Sequence, residues 1–152
     1  MSIVAGFPGA KEGTKIDGYK RRVSGTNQFR DVFGFTLPAA GDFAFAGKVA
    51  VLVDGNSISA SDYFARAAKT ATEAIVVGAT TCGAYGSSSE TATVGASPSM
   101  VTLRLDPFLG TSWGDERLEA VGTAPHVAVD LQPADLARGV DTVLEAAVTA
   151  LE

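Results

Sequence analysis

The sequence predicts an α/β fold, and three features predict it. Val49–Val53 and Ala74–Val77 are short apolar runs rich in β-branched residues. Between them, Ser57–Ala71 carries apolar residues at helical spacing. Strand, helix and strand then fit into about 30 residues, the size of one βαβ unit, which implies parallel strands and a right-handed crossover.

Residues 1–46 form an expected loop-rich N-terminal segment, because Gly6, Pro8, Gly9, Gly13, Gly18, Gly25, Gly34, Pro38 and Gly41 interrupt every apolar run. Residues 47–152 form the expected α/β core of what is a single domain overall. In that core Val49–Val53 reads as a strand buried on both faces and ends at the turn cluster Asp54-Gly55-Asn56. The helix that follows places Ala60, Phe64, Ala67, Ala68 and Ala71 on one side. Ala74–Val77 is a second strand, stopped by Gly78. After a polar, glycine-rich stretch from Gly78 to Ser89, strands are expected at Thr91–Val94 and Met100–Leu105, with a turn around Ser97-Pro98. Pro107–Arg117 reads as a loop carrying Trp113, and Val127–Val129 as a short strand. Pro133 opens a helical tail that breaks at Gly139 and restarts at Asp141, with Leu136, Val140, Leu144, Ala147, Val148 and Leu151 on one face.

Composition narrows the function. At 152 residues, with 46% hydrophobic and 19% charged residues, the chain suits one globular domain. A net charge of −5 argues against nucleic acid as the main partner. No apolar run approaches the ~20 residues of a membrane span. The first residues lack the pattern of a secretory leader, so a cytoplasmic location is the default expectation. Cys82 is the single cysteine, which excludes an intrachain disulfide and a cysteine-built zinc site, and no cofactor is expected. It reads as a small buried residue or a reactive thiol. Charge is uneven: residues 1–30 balance at +4 and the other 122 residues at −9. Either the basic arm docks on an acidic surface of the same or a neighbouring subunit, or it is simply solvated.

A strand that turns tightly into a helix puts its turn residues among free backbone N–H groups and the positive end of the helix dipole. Ser59 stands there, and the N–H of Ala60 is placed to stabilise an oxyanion formed by attack of the hydroxyl. Ser57 and Ser61 are neighbours with weaker claims. Ser59-x-x-Asp62 is equally a capping box, in which the serine only satisfies an orphan N–H.

The segment Gly47–Ala65, with Ser59-Ala60-Ser61-Asp62 opening its helix, and the segment Ala74–Gly83, ending in Gly78-Ala-Thr-Thr81-Cys-Gly83, resemble the core of the C-terminal-processing (tail-specific) serine peptidases and their tricorn-core relatives. Leu118-Glu119-Ala-Val-Gly122-Thr-Ala-Pro125 and the tail from Leu131 to Leu144 continue the likeness, which covers about two thirds of the chain and resembles the C-terminal half of the catalytic domain. The resemblance implies a fold like the ClpP and crotonase superfamily, a spiral of βαβ units, here incomplete and closed by a C-terminal helix. It carries the nucleophile onto Ser59 and a site glutamate onto Glu119, and lines the site with Ser57, Asp62, Thr81 and Gly83.

The departures are chemical. The family's general-base lysine falls on Ala84, and Lys69, ten residues along the helix from Ser59, is ~15 Å away. The upstream histidine and the Asp-x-Arg-x-Asn-x-Gly-Gly segment of the relatives are absent. His126, the only histidine, follows Pro125 and is either the general base for Ser59, oriented by Glu119, or a surface residue in a Gly/Pro turn. Trp113 and Phe29, Phe33, Phe35, Phe43 and Phe45 either line a hydrophobic groove or pack a core. Three functions follow: a serine hydrolase acting on peptide or ester bonds through a Ser59 acyl-enzyme, including a carboxylesterase without peptidase activity; a non-catalytic module binding hydrophobic ligands; or a subunit completed by a second copy or by a partner chain.

Overall fold

A computed structural model describes residues 2–86, 90–94, 101–105, 108–111 and 116–152 of the chain. Trp113 and the Ser97-Pro98 turn lie outside the described residues. The N-terminal region departs from the loop-rich expectation. A short helix α1 (Ser2–Ala5) leads to strands β1 (Lys15–Arg22) and β2 (Phe29–Thr36), which pair antiparallel from Lys15 opposite Thr36 to Arg22 opposite Phe29. Gly18 and Gly34, two of the residues that read as breakers, face each other across this ladder. Glycine weakens a strand through entropy, but cross-strand pairing and a helix beneath override that local preference.

Strand β3 (Ala50–Val53), helix α2 (Ala60–Ala71) and strand β4 (Ile75–Gly78) follow as expected, with β3 and β4 parallel and Val51 opposite Val76. Burial of β3 is one-sided rather than two-sided, since Leu52 is 45% exposed while Val51 and Val53 are buried. Strands β5 (Glu90–Val94) and β6 (Val101–Leu105) pair antiparallel. Strand β7 (Phe108–Thr111) takes the place of the expected loop, and it pairs antiparallel with β1, from Gly18 opposite Thr111 to Arg21 opposite Phe108. Strand β8 (Val127–Ala128) adds to β4 in parallel. The tail breaks as expected: helix α3 (Pro133–Leu136) ends, and Asp141 caps helix α4 (Thr142–Leu151) by accepting from the N–H groups of Val143 and Leu144, each at 3.0 Å.

Two three-stranded sheets result, in the orders β2-β1-β7 and β3-β4-β8, and α2 lies between them. Its alanines serve both sides. Ala67 and Ala71 pack with Val4, Ile16 and Leu37, whereas Ala65 and Ala68 pack with Val51, Val53 and Val76. Phe7 and Phe64 touch both clusters, as edge-to-face rings 6.1 Å apart. A helix buried on two faces needs small side chains to let both sheets approach, which is why an alanine-rich segment sits here. No helix among the described residues is long and apolar enough to cross a membrane.

Candidate active site

The chain leaves β3 at Val53 and turns within six residues into α2. Asp54 organises the turn, its carboxylate accepting from Asn56 N at 2.9 Å and its N–H donating to Ser57 Oγ at 3.1 Å. Ser57 is thereby committed to the turn, and its carbonyl accepts from Cys82 N at 3.1 Å. Ser59 follows as the exposed N-cap of α2, with φ 57° and ψ −110°. A left-handed φ is costly for a residue with a Cβ, on the order of 1–3 kcal/mol, and such strain concentrates at sharp strand-to-helix turns that present a nucleophile. Ala60, as first residue of the helix, has an N–H with no acceptor inside the helix.

What holds Ser59 in this conformation is Asp62. Its side chain is fully buried, and its carboxylate accepts from Ser59 N at 2.8 Å, Gly83 N at 2.9 Å and Ala84 N at 3.0 Å. The capping box is therefore real, and it does more than end the helix: it ties the Ser59 turn to the loop after β4. That loop is tied in turn to the segment before β8. Gly83 O accepts from Ala120 N at 2.8 Å, Thr81 Oγ1 accepts from Thr123 N at 2.8 Å, and Thr81 N donates to Thr123 O at 3.2 Å. The approach is so close that a Cβ on Gly83 would stand 2.5 Å from Gly122 N, and one on Gly122 would stand 2.2 Å from Thr81 O. Both glycines also have left-handed φ, near 80°, where a side chain is strained.

Ser57, Ser59, Ala60, Asp62, Thr81 and Gly83 thus form one bonded constellation, and Glu119 adjoins it through Ala120. Glu119 is half-buried, and its Oε2 is buried without a hydrogen-bond partner among the described residues. Buried carboxylate oxygens are seldom left so, which marks this one as available to a further group. Ala84 supplies only its backbone, and among the described residues no lysine, arginine or histidine nitrogen is hydrogen-bonded to Ser59.

His126 is not brought to Ser59. Its Nδ1 accepts from Val76 N at 3.0 Å and its N–H donates to Val76 O at 2.7 Å, so it continues the pairing of β8 with β4. It lies instead with Lys69, at the opposite end of α2 from Ser59, where Lys69 Nζ donates to Ala124 O at 2.6 Å. Partial burial, and then the Lys69 charge, hold the imidazole below its ordinary value of 6.5. Seven residues of chain after Glu119 carry His126 away, because the segment runs on into a strand rather than folding back. Cys82 is also placed differently from the buried residue expected, since it is exposed.

A buried polar cluster beneath the site was not legible in the sequence. Tyr85 is fully buried, and its carbonyl accepts from the hydroxyls of Tyr19, at 2.9 Å, and Tyr63. Its own hydroxyl reaches Thr123 Oγ1 and Asp62 O, and burial pushes its pKa up to about 12. Asp17 on β1 is fully buried, with Oδ1 accepting from Gly18 N at 2.7 Å and Oδ2 unpartnered among the described residues. Burial pushes its carboxyl up to about 7, against the lowering pull of the Gly18 N–H and the Arg66 charge. An ionisable residue between Ile16 and Gly18 is a signal only once that segment is known to be a strand.

Five phenylalanines lie outside the core. Phe29, Phe33, Phe35, Phe43 and Phe45 are all well exposed. Phe33 stacks on Tyr19 at 4.6 Å, and Phe35 meets Tyr63 edge-on at 5.8 Å. Phe35, Ala60, Tyr63 and Phe64 line an apolar cavity of about 400 Å³, which Ala60 brings within one residue of Ser59 along the chain. Among the described residues no three His, Cys, Asp or Glu side chains converge to hold a metal ion.

Comparison with known proteins bears on the family and the fold. The family model described as peptidase family S41 matches residues 9–129. The fold is similar to that of a candidate peptidase from Parabacteroides merdae ATCC 43184, with a TM-score of 0.78 at 22% identity over 98% of this chain and 45% of that one. It is similar to mature CPAF, solved complexed with lactacystin, with a TM-score of 0.68 at 12% identity over 98% of this chain and 39% of that one. It is similar also to the photosystem II D1 C-terminal processing protease, with a TM-score of 0.54 at 19% identity over 89% of this chain and 32% of that one. The chain spans less than half the length of each of these structures. No curated protein matches the sequence.

Proposed function

This chain belongs to peptidase family S41, and from that membership we propose that it is a serine hydrolase whose nucleophile is Ser59, built on a ClpP/crotonase-like spiral core. The observation that carries the reading is the strained, exposed Ser59 at the start of α2, with φ 57° and ψ −110°. In the proposed reaction Ser59 Oγ adds to the carbonyl carbon of a peptide or ester, and the Ala60 N–H stabilises the resulting oxyanion. Collapse expels the amine or alcohol, which takes the serine proton, and water then hydrolyses the acyl-serine.

The cavity of Phe35, Tyr63 and Phe64 lies where the side chain next to the scissile carbonyl would go, so the substrate is one with an apolar residue there. Asp62 positions the nucleophile, and Glu119, with its unpartnered oxygen, orients the group that takes the proton. That group lies outside these 152 residues, in a second copy or in further protein, since Ala84 stands where the family resemblance expects lysine. Without it, the activated carbonyl of an ester is turned over before an amide, and this favours the esterase form of the reading.

The test is covalent labelling by a fluorophosphonate, together with turnover of a p-nitrophenyl ester, by the native protein and Ser59→Ala. Label and turnover lost only in the variant support Ser59. Equal turnover in both removes the assignment and leaves the apolar cavity as a ligand-binding site.

A further inference from the structure

A second cavity, of about 320 Å³, opens at the carboxyl ends of β3, β4 and β8 and shares only Asp54 with the turn that carries Ser59. Leu52, Val129 and Leu131 form apolar parts of its wall, and Asp54, Asp130 and Asp141 put three carboxylates around them. Asp54 and Asp141 are occupied by turn and helix-cap hydrogen bonds, whereas Asp130 has no ion pair among the described residues. The ground beyond it has the same character. Residues 128–152 hold five carboxylates against Arg138, which is already paired with Asp135. Leu136, Val140, Leu144 and Val148, each four residues after the last, are exposed there.

The opposite character is found at the tip of the β1–β2 hairpin. Arg22 lies over the Phe29 ring at 5.3 Å and donates to Asn27 Oδ1 at 3.2 Å, so its guanidinium is held in place rather than free to sweep. Arg30 pairs with Arg21 and is exposed on the other face of the hairpin, so the tip carries a cation on each face, and Val23 and Phe29 are exposed there too. The tip is therefore a preformed wedge, apolar in body and cationic at its edge. Arginine stacked on an aromatic ring loses little further entropy when it meets a carboxylate.

We propose that this acidic cavity receives the β1–β2 hairpin tip of a second copy of the same chain, with Arg22 and Arg30 meeting Asp130 and its neighbours while Phe29 and Val23 cover Leu52 and Leu131. The complementarity of charge and of apolar surface on two different parts of one molecule names the occupant. Because donor and acceptor patches differ, the contact either closes as a two-fold dimer by reciprocal exchange of hairpins or runs head-to-tail into a ring or an open chain of copies. Its electrostatic part weakens as salt shortens the screening length from about 10 Å at 0.1 M to about 3 Å at 1 M.

The experiment is sedimentation velocity of the 152-residue chain over a concentration series, at low salt and at half-molar salt, with two charge-reversed proteins: Arg22→Glu with Arg30→Glu, and Asp130→Lys. All these positions are exposed, and circular dichroism verifies that the variants keep the fold. The native chain is expected to sediment as concentration-dependent oligomers at low salt and as monomer at high salt. Each variant alone is expected to be monomeric, and an equimolar mixture of the two to associate, since the mixture contains one intact hairpin and one intact cavity. A native chain that stays monomeric at low salt overturns the proposal. So do variants that associate like the native chain, or a mixture that remains monomeric.

Discussion

Replacing Asp17 by Asn is expected to remove most of the pH dependence of stability between about pH 4 and about pH 7. The carboxyl titrates near 7 in the folded protein against an ordinary 3.8, because burial outweighs the Gly18 N–H and the Arg66 guanidinium that face it. Across that window the folded state keeps a proton that the unfolded chain has released. This group's contribution to stability is thus fully present below about pH 4, falls by about 1.4 kcal/mol per pH unit, and has been lost above about pH 7. Three units make about 4 kcal/mol, a large share of the 5–15 kcal/mol typical of a domain. Asparagine keeps the oxygen that accepts from Gly18 N at 2.7 Å and does not ionise. Its amide N–H2, standing where Oδ2 has no partner, costs about 1–3 kcal/mol at every pH. The slope, not the absolute stability, is therefore the measurement. Urea unfolding of both proteins at about pH 5 and about pH 8 reads it, and any contribution from His126 is common to both and cancels. The native protein should lose about 3 kcal/mol more than the variant over that range. Parallel losses would refute the reasoning and show that Asp17 is ionised, and compensated, in the folded state.

Asp62→Asn leaves one carbonyl oxygen for three N–H groups and turns an N–H2 toward them; it should cost about 2–4 kcal/mol in urea unfolding and slow fluorophosphonate labelling of Ser59. Gly83→Ala puts a Cβ 2.5 Å from Gly122 N at a φ of 79°, so a fall in stability of more than about 2 kcal/mol is expected by thermal unfolding, with refolded protein failing to label. His126→Ala removes the acceptor of the Val76 N–H. The imidazole is held below 6.5, so its protonation as pH falls below that value offsets part of the gain that Asp17 gives, and the variant should gain stability more steeply on acidification than the native protein, with labelling of Ser59 unchanged.

The elements legible in the sequence are those whose causes are local. Val49–Val53 and Ala74–Val77 announce strands by composition, Ser59-x-x-Asp62 announces the start of a helix, and Gly139 followed by Asp141 announces a stop and a restart, all within a residue or two of their places in the structure. The position of Ser59 at the helix start belongs with them, because it depends only on a turn meeting a cap. Burial and partnership are another matter. The β1–β2 hairpin is hidden by its own glycines and exists because β7, more than 70 residues later, and α2 pair with it and cover it. Leu52 faces outward and Cys82 is exposed because of what packs beside them, which no local pattern records. The apolar residue types of α2 were readable, but not that its alanines are shared between two sheets. The left-handed φ of Ser59 was equally invisible, since a fully buried carboxylate three residues on and the loop at Gly83 together hold it. His126 illustrates the limit best: its chemistry suits a base, but the chain continues into β8, and a strand's extended reach puts it beside Val76 and Lys69. Local propensity depends on a few neighbouring residues and can be read along the chain, whereas burial, strain and proton affinity depend on which distant segments close around a group, and only the tertiary fold decides that.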